Sequence, residues 1–215
     1  GVDFVTAACT MSKPKLAEKV GNEYVNVGGK KSFIEMGIET GSPRLINLIM
    51  PGKVLPYKAE QYPEIVEQAI GTLNDAGWTV VGTLITELPE ENEYDVIKTI
   101  ELIDNLKNLE VIPFVLPFIP MGQFRGREFT VLKNIVLDDL KRELFLKSLN
   151  KVVSQIKKDA KIVTSGITKS IFAKLALEFA LWYMGRKIKK LERMDHKEFV
   201  ELINKLEKDM VNVDN

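Results

Sequence analysis

Residues able to handle a polar ligand gather in one short stretch, Gly37-Ile38-Glu39-Thr40-Gly41-Ser42-Pro43-Arg44-Leu45. A carboxylate, Glu39, falls where an apolar run stops. It can accept hydrogen bonds from an ammonium group or from ribose hydroxyls. Thr40 adds a hydroxyl, and Gly41 lets a ligand come close to the backbone. Ser42 suits a helix N-cap and Pro43 the first helical position, so the amides behind them could face an anion. The competing reading is a structural turn in which Glu39 serves a local cap or ion pair. Two further clusters have the same relation to an apolar run. Thr86, Glu87, Pro89, Glu90 and Glu91 follow one, and Pro117, Pro120 and Gly122 close another.

Positioning these groups is the task of alternating elements. Residues 1–8 read as a short buried strand, 14–26 as a helix, and "SFIEMGIE" (32–39) as a strand. Helix follows from Ser42 to Pro51-Gly52. A second runs over about 60–76, with Ile65, Val66, Ala69, Ile70 and Leu73 on its apolar face and Gly77 at C′. "WTVVGTLIT" (78–86) is β-branched and nearly all apolar, as expected of a strand buried on both faces. Asn92 can cap a helix with Val96, Ile97, Ile100, Ile103 and Leu106 as its stripe. Prolines demote "VIPFVLPFI" (111–119) to an edge or irregular strand. The expected fold class is α/β, a parallel layer or a piece of a β/α barrel. Ligands in such folds gather outside the carboxyl ends of the strands. From about 130 onward only helical patterns occur, so two domains are expected, 1–125 and an all-helical 126–215.

Composition narrows the classes. The 215 residues carry 30 basic and 30 acidic side chains. Residues 1–125 hold 11 Lys+Arg against 17 Asp+Glu, and 126–215 hold 19 against 13, so the helical part is basic. That is either a solvated helix surface or a patch for an anionic partner. The single cysteine, Cys9, excludes an internal disulfide and fits a cytoplasmic setting. No run of about 20 apolar residues exists to span a bilayer. The chain begins at Gly1 inside an apolar run, "GVDFVTAA", which reads as the middle of a longer protein.

"GIETGSPRLINLIMPGK", then "EQAIGTLNDAGWTVVGTLITELPEENEYDVIKTIELID" and "VIPFVLPFIPMG", together resemble the second half of a radical S-adenosylmethionine enzyme. The nearest likeness is to the group that often carries an N-terminal cobalamin-binding domain. Those enzymes have a Gly-Ile-Glu-Thr-Gly-Ser turn after the fourth barrel strand. A Thr-Leu-Ile strand leads into a Gly-Leu-Pro-Gly-Glu loop. The likeness covers roughly residues 1–122, and order and spacing make the set fairly specific.

The resemblance implies a partial (β/α)6 barrel, with this chain supplying strands three to six at 1–8, 32–39, 79–86 and 111–119. It implies S-adenosylmethionine and a 4Fe–4S cluster held by a Cys-x3-Cys-x2-Cys loop, with cobalamin on a missing N-terminal domain as a further option. Three thiolates hold three irons and leave the fourth open to the ligand. Cys9 alone cannot do this, so the cluster ligands belong to a missing N-terminal half or a separate subunit. By the same resemblance, Glu39 and Thr40 face the ribose or amino end of S-adenosylmethionine, and Gly41 and Ser42 form its backbone corner. Lys53 pairs with the ligand carboxylate, and Thr83 is a polar position of the next strand; Glu87 and Pro117, at strand ends, complete the candidate cofactor-binding set. Glu91 and Asp95 match acidic positions of the following loop and helix start, where stabilising the helix N-terminus is the preferred reading. Glu87 and Glu90 depart from the pattern, standing where the family has glycines.

Two functions are therefore expected. The first is the S-adenosylmethionine-binding part of a radical enzyme that generates a 5′-deoxyadenosyl radical or transfers a methyl group, inactive without the rest of its parent. Its substrate is a small molecule, a lipid or a macromolecule. The alternative is a non-catalytic scaffold using the basic helical tail for a partner. His196 reads as a helix-start polar residue. "IFAKLALEFALWYMGRKIKK" reads either as a core helix or as an amphipathic face for a membrane surface or apolar substrate.

Overall fold

A computed structural model describes residues 6–28, 32–119, 138–167, 171–195, 197–199, 201, 202 and 205. The chain divides into two compact units, Gly1–Leu116 and Pro117–Asn215. The loop around residue 125, where a boundary is expected, lies outside the described residues, as does His196.

The first unit begins with two helices, α1 (Ala7–Ser12) and α2 (Pro14–Gly28). α1 corrects the strand expected at 1–8 over its last residues; residues 1–5 lie outside the description. Thr6 is the N-cap of this helix. Thr6 Oγ1 accepts from the Cys9 amide, and the Thr10 and Ser12 hydroxyls donate to the carbonyls of Thr6 and Ala8. The Thr6 cap starts a helix that an apolar pattern alone does not reveal.

Strand β1 (Ser32–Glu39) leads through α3 (Pro43–Ile49) and two 3-10 turns (Pro51–Lys53 and Ala59–Gln61) to α4 (Tyr62–Asp75). Strand β2 (Trp78–Thr86), α5 (Glu93–Asn105) and β3 (Val111–Pro117) complete the series. The three strands form one parallel sheet in the order β1-β2-β3. Gly77, at φ 88, follows α4 as its C′ residue. β3 ends at Pro117, two residues before the expected 119.

β1 and β2 pair in register from Ser32↔Trp78 to Gly37↔Thr83, with an irregularity before Glu39↔Leu84. Ile34, Met36 and Ile38 are buried from β1, and Val80, Gly82 and Leu84 from β2. α4 packs against β2 and contributes Ile65, Val66, Ala69, Ile70 and Leu73. Burying such side chains contributes roughly 1.5–3 kcal/mol each. Gly82 leaves room for Ile38, whose Cδ1 would lie 2.6 Å from an added Cβ.

β2 is not buried equally on both faces as expected. Val81, Thr83 and Ile85 are only half-buried, as are Glu35, Gly37 and Glu39 on the same face of β1. The apolar character of β2 thus serves a core on one side and a partly open sheet face on the other.

The second unit contains α6 (Asp139–Ile167) and α7 (Ile171–Arg193), which pack together. Arg142 donates to the carbonyls of Leu191 and Met194. Among the described residues no helix is long and apolar enough to cross a membrane.

Candidate functional site

The carboxyl ends of β1 and β2 share an unusual backbone. Glu39 ends β1 at φ 66, Glu87 follows β2 at φ 64, and Glu90 lies at φ 65 in the same loop. The left-handed region costs a residue with a Cβ roughly 1–2 kcal/mol. At Ile38 the surroundings hold the turn in place. Its carbonyl accepts from the Thr40 amide at 2.9 Å and from the buried Tyr62 hydroxyl at 2.8 Å. Burial, and then the nearby charge of Glu39, push the Tyr62 hydroxyl well above its ordinary pKa, so it remains a donor.

Turned this way, the Glu39 side chain folds back over the open sheet face. Its Oε1 accepts from Lys53 Nζ at 2.7 Å, and both side chains are about one-sixth exposed, at 17% and 16%. Gly37 makes room beneath them. A Cβ there would lie 2.6 Å from Glu39 Oε1 and 3.1 Å from Lys53 Nζ. Thr83, the register partner of Gly37, is half-buried on the neighbouring strand. Glu39, Lys53 and the Gly37–Thr83 pair are thus brought to one region of the sheet.

Thr40, Gly41 and Ser42 turn the other way. Thr40 and Ser42 are fully buried. The Thr40 and Thr99 hydroxyls are 3.1 Å apart, and Thr99 Oγ1 also accepts from the Gly41 amide at 3.0 Å. The Ser42 amide donates to Thr40 Oγ1, while Ser42 Oγ caps α3 by accepting from Leu45. The amides of Ser42 and Leu45, at the helix start expected to face an anion, are therefore satisfied within the fold, as is that of Gly41. The close approach that Gly41 permits is that of α5: an added Cβ would lie 2.5 Å from the Lys98 carbonyl oxygen.

Asp95 anchors this corner. It is fully buried and accepts from Ser42 Oγ at 2.5 Å, from Arg44 through Nε at 3.1 Å and Nη2 at 2.5 Å, and from the Asn92 amide at 2.9 Å. Asn92 and Asp95 form a capping box at the start of α5. Burial by itself raises the Asp95 pKa. The bonds from Arg44, Ser42 and Asn92 outweigh it and hold the carboxyl below the usual carboxylate range. The bond to Asp95 in turn raises the pKa of Arg44. Arg44 also donates to the Glu90 carbonyl, tying the β2–α5 loop to α3. Glu91 accepts from the Thr86 hydroxyl at 3.0 Å and from the Glu87 amide at 2.7 Å, bracing the same loop.

Sequence reasoning omits Arg44 and Thr99 from the corner. Thr99 lies one helical turn after Asp95 and donates to its carbonyl, but its partners Thr40 and Gly41 are 59 and 58 residues away. Pro117 ends β3 and is the first residue of the second unit. Cys9 is exposed in α1, and no group of three or more His, Cys, Asp or Glu residues able to hold a metal occurs among the described residues.

The site is thus a strand-end acid–base pair on a parallel α/β layer, backed by a sealed polar corner. In comparisons with protein-family models and with curated proteins, the chain matches none.

Proposed function

We propose that this chain is the S-adenosylmethionine-binding part of a radical enzyme whose cluster-bearing portion lies elsewhere in the parent protein or in a separate subunit. The observation that carries the reading is the half-buried Glu39–Lys53 pair at the carboxyl end of β1. The amino-acid end of S-adenosylmethionine carries an ammonium and a carboxylate. An acid and a base side by side complement it, Glu39 taking the ammonium and Lys53 the carboxylate. The left-handed backbone at Glu87 and Glu90 supports the same reading, since these are the positions at which the resembled family has glycine. Thr40, Gly41 and Ser42 then position Glu39 and do not touch the ligand.

The residues of this chain do not fit the 4Fe–4S cluster. Its one cysteine, Cys9, cannot replace three thiolates, and no step of radical chemistry is assigned to this chain. Its part is to bind and orient. The sheet continues into a (β/α) barrel in this proposal, with the open face of Glu35, Val81, Thr83 and Ile85 turned to the barrel interior. Cobalamin would belong to a further domain.

A second reading, a non-catalytic scaffold, draws on the internal bonding of the corner and on the neutralisation of Glu39 by Lys53. Calorimetry with S-adenosylhomocysteine separates the two. The first predicts measurable binding that Glu39→Ala weakens about tenfold or more, the scale of a charged hydrogen bond. Equal heats from both proteins, or none from either, favour the scaffold.

A further inference from the structure

A different surface, in the second unit, points to a different partner. α7 packs on α6 through one stripe. Leu181 and Ile188 are buried there, an added Cβ at Gly185 would meet Lys157 of α6 at 3.6 Å, and Glu192 accepts a hydrogen bond from Asn150. The opposite stripe carries the large aromatic residues. Phe179, Trp182 and Tyr183 are 64%, 52% and 49% exposed. This reverses the usual arrangement, in which a helix hides its aromatics and shows its charges.

Cations continue the same face toward the C-terminus. Arg186, Lys187, Lys189, Lys190 and Arg193 border a shallow groove with the three aromatics, and among the described residues no acid lines it. Phe179, Trp182, Arg186, Lys190 and Arg193 follow one another at spacings of three and four, so they lie on one side of the helix. Glu192, which lies within this run, is turned toward α6, where it accepts from Asn150. An ordinary solvated helix face mixes both signs; among the described residues lining this groove, exposed rings are paired with positive charge alone.

We propose that this face of α7 docks on an anionic phospholipid surface. The rings would enter the headgroup boundary, and the cations would lie against lipid phosphates with their alkyl stems along the apolar layer. The helix does not span, so it lies in the plane of the surface. Single-stranded nucleic acid also attracts cations and aromatics, but it binds by stacking bases on open ring faces. Here one face each of Trp182 and Tyr183 already carries a cation. Arg186 lies over Trp182 at 4.9 Å and Lys187 over Tyr183 at 5.2 Å, and Phe179 packs at 5.7 Å from Trp182. The rings form a wedge with cations at its side, which suits insertion better than stacking. This inference does not depend on S-adenosylmethionine binding.

Co-sedimentation of the whole chain with vesicles tests it. Binding is expected to phosphatidylcholine vesicles containing phosphatidylglycerol, to fall as salt is added, and to be lost with phosphatidylcholine alone. Lys187→Ala and Lys190→Ala should each weaken it about fivefold, and Trp182→Ala about tenfold. All three side chains are on the exposed face, so circular dichroism should be unchanged. Brominated lipid should quench Trp182 and spare Trp78, which is only 5% exposed. Equal affinity for neutral and anionic vesicles, no binding to either, bound protein with unquenched Trp182, or displacement from vesicles by single-stranded DNA would each overturn the proposal.

Discussion

Lys53 Nζ lies 2.7 Å from Glu39 Oε1, and the pair rests over Gly37, the one β1 position on that face with no side chain to displace it. An alanine there would meet only the far ends of two flexible side chains. Gly37→Ala should therefore change stability by less than about 1 kcal/mol, because both ends can swing away. The same change should separate the acid from the base. Urea denaturation is expected to superimpose on the parent curve while calorimetric binding of S-adenosylhomocysteine falls. A variant that binds as well as the parent would show that the pair plays no part in recognition.

Gly41 answers the same substitution differently. Its added Cβ would lie 2.5 Å from the Lys98 oxygen and 2.7 Å from Thr99 Cα, both backbone atoms of α5. Neither can move without shifting the helix. Gly41→Ala should cost about 2–3 kcal/mol or more, visible as a lower urea midpoint at unchanged slope. Gly71, inside α4, has open space around its added Cβ. Gly71→Ala should stabilise by roughly 0.5–1 kcal/mol, as helix propensity dictates.

Asp95 links acidity to folding. Its carboxyl titrates below the usual range because Arg44, Ser42 and the Asn92 amide all favour the charged form against burial. A depressed folded pKa means that the contribution is whole above the unfolded value, about 3.9, and disappears as pH falls through the lower folded value. Asp95→Asn should cost about 3 kcal/mol near neutrality, since it leaves buried donors without a charged acceptor. The difference between parent and variant should shrink on acidification below about pH 4. Paired chemical denaturation curves across that range check both size and sign. A gap that stays constant to low pH would mean that the carboxylate charge is not what Asp95 contributes.

Much of the layer was legible because its signals are local. The alternation of Ile34, Met36 and Ile38 marks β1, and Ser42, Pro43 and Asn92 mark helix starts within three residues of the groups they cap. Where the sequence misleads, the deciding interactions are of another kind. Residues 6–8 read as the end of a strand, yet the Thr6 hydroxyl caps a helix that begins there. The corner of Thr40, Gly41 and Ser42 looks available to a ligand until α5, more than 50 residues away, closes on it. β2 reads as doubly buried because apolar composition does not distinguish a core face from a half-open one.

The left-handed backbone at Glu87 and Glu90 leaves no mark in the residue type, and only the glycines of the resembled family at these positions hint at it. Glu90 is the cleaner test, being exposed and held through its carbonyl by Arg44. Glu90→Gly keeps that carbonyl and removes the Cβ that makes φ 65 costly. After the entropy that glycine adds to the unfolded chain, a net gain of roughly 1 kcal/mol is expected. Glu90→Ala keeps the Cβ and should gain nothing, so the comparison separates backbone relief from loss of charge. Equal midpoints for the two variants in thermal and urea melts would mean that the loop does not hold this conformation in solution. A gain confined to glycine would place a glycine-type turn at the end of β2 in a chain that has none there in its sequence.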